Sequence, residues 1–76
     1  MYSTDINING INGAREFVAL TAKYPKIKIT LNHNEYEIDA HSIIGILSLD
    51  LSKPIALEAD GPDLEAFINA LKPFTV

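Results

Sequence analysis

Two rhythms of apolar residues divide this chain. Tyr2, Thr4, Ile6 and Ile8 recur at every second position with Ser3, Asp5 and Asn7 between them, which predicts a half-buried strand over residues 2–8. Ala14, Phe17, Val18 and Thr21 then follow at helical spacing. Asn12 is the expected N-cap, and Pro25 is placed to stop this first helix after Tyr24. Alternation returns at Ile27, Ile29 and Leu31, the stretch "NHNE" predicts a turn, and Tyr36 and Ile38 resume the alternation on a returning strand. "SIIGILSL" is short and apolar and opens on Ser42, which predicts a second helix of about two turns. "PIALEA" reads as a fourth strand. Gly61-Pro62 opens a last helix with Leu64, Phe67, Ile68 and Leu71 on one face, and Pro73 is expected to end it.

The predicted order is βαββαβα. Right-handed crossovers, and strands whose apolar faces need a single cover, make this one sheet with the helices on one face, an open-faced α/β sandwich of the ferredoxin-like kind. The 76 residues and 47% hydrophobic content predict one small domain over 1–76 with a single core. The sequence has no Cys, which removes disulfides and thiolate metal sites from consideration. Neither a signal-peptide pattern nor an apolar run near the ~20 residues of a membrane span is present, so a cytoplasmic protein without membrane contact is expected. The net charge of −4, with the basic residues scattered, argues against nucleic acid as a partner.

Candidate chemistry is sparse. "NGING" lies between the first strand and the first helix, where Asn-Gly pairs supply positive φ and helix N–H groups can face an anion. It matches neither G-x-G-x-x-G nor a P-loop, so turn-plus-cap and anion cradle both stay open. His33, in the expected hairpin turn, and His41, before the second helix, lack metal-ligand spacing, and no metal or other cofactor is expected. Glu58, Asp60, Asp63 and Glu65 are read as carboxylates around the start of the last helix, near its positive end. The second helix is different. Ile43, Ile44, Ile46, Leu47 and Leu49 surround it, yet a helix on a sheet buries only about half its circumference, so some of them are expected to face water beside His41 and Ser48.

The run "HSIIGILSLDLSKPI" resembles helix 2 and the following strand of HPr, the histidine-containing phosphocarrier of the bacterial phosphotransferase system, whose Gram-positive members carry a K-S-I-M-G-V-M-S-L type segment there. "FVALTAKY" resembles the end of HPr helix 1, and "EADGPDLEAFINAL" is similar to the A-x-G-x-D-x-x-x-A-x-x-x-L start of its last helix. The resemblance implies an HPr-like α+β sandwich, one four-stranded antiparallel sheet covered on one face by three helices, and a protein that is not an enzyme. It also implies a G-x-H-x-R-P-A motif before helix 1, whose His accepts phosphate. Matched to "GAREFV", Ala14 takes the motif alanine, Gly13 the proline, Asn12 the Arg and Gly10 the His. Residues 1–32 contain no His, so the loop of Gly10, Asn12 and Gly13 reads as a degenerate active site. Ser42 matches the regulatory phosphoserine of Gram-positive HPr. The resemblance then makes Ile43, Ile44 and Leu47, with His41 beside them, a partner-binding surface, and turns Ile46 and Leu49 inward.

What the resemblance implies is a Crh-like regulatory or interaction module. Its protein partners would be an HPr kinase/phosphorylase or a regulator, and it would be a monomer or weak dimer. The alternatives are a phosphocarrier in sugar transport and a small anion- or metabolite-binding domain.

Overall fold

The computed structural model describes residues 1–33 and 35–75. Strands β1 (Tyr2–Ile6), β2 (Lys28–His33), β3 (Tyr36–Asp39) and β4 (Ile55–Asp60) form one sheet in the order β1-β4-β2-β3, with every neighbour antiparallel. Helices α1 (Gly10–Ala22), α2 (Ile43–Leu47) and α3 (Leu64–Leu71) cover one face, and a 3-10 turn (Lys72–Phe74) continues α3. This is the expected α+β sandwich. The core lies between the layers: Ile6, Ile29, Leu31, Ile55 and Leu57 from the sheet meet Ala14, Phe17, Ile46, Phe67 and Leu71 from the helices. Edge-on aromatic pairs, Phe17 with Phe74 at 5.6 Å and Tyr24 with Phe67 at 5.4 Å between ring centroids, join α1 and the turn after it to the C-terminal elements. The opposite sheet face is open and carries Asp5, Lys28, Glu37, Asp39, Glu58 and Asp60.

Several boundaries differ from those the sequence predicts, each for a local reason. β1 stops at Ile6 because its partner β4 starts at Ile55, after Pro54, which has no N–H to donate. The next amide, that of Asn7, donates instead to the Phe74 carbonyl at 2.7 Å. Ile8 nevertheless stays buried. α1 ends at Ala22, two residues earlier than expected, because the Lys23 and Tyr24 amides turn back to Leu20 and Thr21 in a tightened last turn. His33 closes β2, paired with Tyr36, and does not lie in the turn; the rest of the predicted turn includes Asn34, outside the described residues. Tyr36 shares the inward-facing register of Ile38 but is exposed, in the last pair of the β2–β3 ladder opposite His33. α3 ends at Leu71, just ahead of Pro73 as expected, and the missing N–H of Pro73 is tolerated at the start of the 3-10 turn that follows. Glu58 and Asp60 belong to β4, leaving Asp63 and Glu65 at the start of α3.

Candidate functional site

Two features expected to carry chemistry are the start of α1 and the start of α2. At α1 the N-cap is Asn9, not Asn12. Gly10 adopts φ +66°, a left-handed conformation that costs glycine little, and this lets the chain bend directly after Asn9 and takes Asn12 into the first helical turn. The Gly13 amide donates to the Asn9 carbonyl at 3.1 Å, and the Gly10 amide donates to Ile8 at 3.2 Å. The Asn9 side chain makes no capping bond, and the first turn of α1 holds no acidic residue. Gly10 and Asn12 are exposed and Gly13 is buried. The loop therefore presents the positive end of a helix with neither a nucleophile nor a basic side chain among its residues 7–13.

At α2 the backbone is fixed from several sides. Ala40 donates its amide to Ile29 at 3.0 Å, and its carbonyl is reached by the buried Thr21 hydroxyl of α1 at 3.1 Å. That hydroxyl also lies 3.0 Å from the Val18 carbonyl, so its single proton is shared between the two. The His41 amide donates to Asp39 Oδ1 at 2.9 Å, and the His41 ring Nε2 lies 3.2 Å from the Ile27 carbonyl. With Nε2–H as the donor, His41 is a strut beneath the turn and less a free side chain than the sequence suggests. Ser42 follows, exposed and extended, as the N-cap, and its Oγ accepts the Gly45 amide at 3.3 Å.

The outer face of α2 is narrower than the sequence reading. Ile44 is 81% and Leu47 43% exposed, whereas Ile43 is half-buried against the core. Ile43 turns inward because, in a five-residue helix, the first residue still leans over the turn that precedes it. Ile46 is fully buried and Leu49 partly so, as expected. Gly45 faces β3, where a Cβ would stand 2.7 Å from Ile38 Cγ2, so glycine sets how closely α2 approaches the sheet.

Sequence reasoning missed Thr21 and Asp50. Thr21 occupies an apolar helix position and gave no separate signal, although its hydroxyl joins α1 to the turn before α2. Asp50, after α2, accepts bonds from the Ser52 hydroxyl and amide, which hold its carboxyl below the usual carboxylate range, with Lys53 and His33 assisting. An Asp-x-Ser spacing before a proline could have marked that turn. Among the described residues no group of acidic or His side chains is arranged to hold a metal ion, and no helix is long and apolar enough to cross a membrane.

Comparison with known proteins adds a family. Residues 11–75 match the family described as "PTS HPr component phosphorylation site". The structure is similar to the crystal structure of HPr-C-His from Thermoanaerobacter tengcongensis, with a TM-score of 0.79 and 31% sequence identity over 96% of this chain and 89% of that one. No curated protein matches the sequence.

Proposed function

This chain belongs to the HPr family of the phosphotransferase system, whose members are phosphocarriers and not enzymes, and we propose that it is a regulatory or protein-interaction member that does not carry phosphate on histidine. The observation that carries this reading is Ser42: an exposed hydroxyl at the head of a helix whose outer side chains, Ile44 and Leu47, face solvent. The absence of His from residues 1–32 supports it from the other side, since α1 begins there without an acceptor. His33 ends a strand and His41 braces a turn, and neither is at the head of α1. The partners in this reading are a Ser-specific HPr kinase/phosphorylase and a regulator that docks on α2, within the cytoplasm.

Phosphate on Ser42 would stand at the N-cap of α2. Its charge suits the positive end of a helix by about 0.3–1 kcal/mol, so modification adds a charge beside Ile44 and Leu47 while leaving the fold in place. The choice of partner, not the stability of the domain, is then what changes. Two incubations test the proposal. With labelled phosphoenolpyruvate and the first enzyme of the phosphotransferase system, no acid-labile label should appear; with ATP and an HPr kinase, acid-stable label should appear and be lost in Ser42→Ala. Stoichiometric acid-labile label on His33 or His41 would restore the phosphocarrier reading.

A further inference from the structure

We propose that Asn9 is a site of spontaneous covalent modification, a one-way conversion to aspartate and isoaspartate that places a negative charge at the head of α1. This does not depend on the role of Ser42. The sequence has two Asn-Gly pairs, Asn9-Gly10 and Asn12-Gly13, and both asparagines are exposed. Glycine after asparagine leaves the following backbone nitrogen unhindered. That nitrogen, after losing its proton to hydroxide, can attack the side-chain Cγ. A new N–Cγ bond forms, the Cγ–Nδ2 bond breaks, and Nδ2 leaves as ammonia with a proton from water. Water then opens the cyclic imide at Cγ to give aspartate, or at the backbone carbonyl to give isoaspartate. The sum is asparagine plus water giving the acid plus ammonia, with no change of oxidation state.

The fold separates the two pairs. At Asn9 the ψ of 81° leaves the Gly10 nitrogen nearly anti to the Asn9 Cβ, so ring closure requires rotation about the Cα–C bond. That rotation gives up the bonds from Gly10 to Ile8 at 3.2 Å and from Gly13 to Asn9 at 3.1 Å, both at the extreme end of the helix, where fraying is easiest. The Asn9 side chain is exposed and has no capping bond to lose, and the position a Cβ of Gly10 would take has nothing within 4 Å, so no side chain shields the attacking Gly10 nitrogen from that side. At Asn12 the attacking nitrogen belongs to Gly13, which is buried against Ile8 and Asn9, and the rotation falls inside the helical ladder. Folding thus slows both reactions relative to an unfolded chain, and slows Asn12 more.

The product suits its position. The first turn of α1 has no acidic side chain, and a carboxylate at residue 9 meets the positive end of the helix. The loop that lacks a phosphoryl acceptor would acquire a fixed anion next to Gly10, irreversibly and as a function of protein age.

The test is to age the full chain at neutral and mildly alkaline pH, folded and in urea, and to follow both sites by peptide mapping, with an isoaspartyl methyltransferase assay to count isoaspartate. In urea the two sites should react at similar rates. In the folded protein Asn9 should convert several-fold faster than Asn12, the rate should rise in proportion to hydroxide, and Asn9→Gln should remove the early product. Conversion of Asn12 first or equally in the folded protein, persistence of the early product in Asn9→Gln, or no conversion of Asn9 in the folded protein over a period that converts it fully in urea would each overturn the proposal.

Discussion

Replacing Gly45 by alanine opposes two effects whose signs differ. Alanine in a helix interior is favoured over glycine by about 1 kcal/mol. Against this, the new Cβ would stand 2.7 Å from Ile38 Cγ2. That methyl is attached to the branched Cβ of a strand residue, so it cannot swing aside as the tip of a long side chain would. The Ser42 side chain, with Oγ at 3.4 Å and Cβ at 3.6 Å, crowds the other side. Overpacking of this kind costs about 1–3 kcal/mol, so Gly45→Ala should lose about 1 kcal/mol net, a fall in Tm of about 4–8 °C for a domain of this size. The decisive measurement is a double-mutant cycle by urea denaturation. In an Ile38→Ala background the clashing methyl is gone, and Gly45→Ala should then stabilise by up to about 1 kcal/mol. A gain from Gly45→Ala in the parent chain would refute the close approach of α2 to β3. An undiminished loss in the Ile38→Ala background would show that the contact is not with Ile38.

Two further outcomes follow from burial and charge. Leu47→Asp should cost under about 1 kcal/mol and abolish binding of any partner that docks on α2, whereas Ile46→Asp, placing a charge at a fully buried position, should cost at least about 4 kcal/mol and unfold the domain; equal losses by thermal melting would contradict the assigned faces. The bonds from Ser52 lower the folded-state pKa of Asp50, so its contribution is present above the ordinary carboxylate range and is lost as pH falls through the depressed value. Parent and Asp50→Asn melting curves should therefore differ slightly at neutral pH and converge in acid, and a gap that widened on acidification would contradict the sign.

The elements were legible in the sequence because their periods are clean. Phe17 and Thr21, or Phe67 and Leu71, fall on one helical face and are buried, and β4 alternates as "IALEA" predicts. The short second helix was legible from Ser42 and its apolar run, despite β-branched residues, because the cap and tertiary cover outweigh intrinsic propensity. What escaped was decided by neighbours distant in sequence. Asn12 has the chemistry of an N-cap, but the left-handed Gly10 moves the start of α1 forward, and only the packed position of Ile8 and the Asn7–Phe74 bond shows why. His41 reads as a surface residue until the Ile27 carbonyl comes within reach, and the half-burial of Ile43 depends on the turn that Thr21 holds. Exposure on α2 was predictable in kind from the limited circumference a sheet can cover, but periodicity did not choose among the five apolar residues; the resemblance to HPr did, and it failed only at Ile43.

The sheet order also has a kinetic consequence. Within the sheet β1 pairs only with β4, Tyr2 with Ala59 and Ile6 with Ile55, and outside it a bridge joins Ile6 to Thr75, while β2 and β3 meet across a short connection. Any nucleus built from the hairpin and α2 can form with little loop closure, whereas pairing β1 with β4 closes the long stretch of chain between Ile6 and Ile55. Chain-closure entropy therefore falls late and on one strand. Substitutions facing the core from β1, such as Ile6→Val, should speed unfolding and leave the folding rate nearly unchanged, whereas Leu31→Val in β2 should slow folding. The first strand is thus expected to act as the latch of the domain, the last element to close and the one whose release sets the lifetime of the native state.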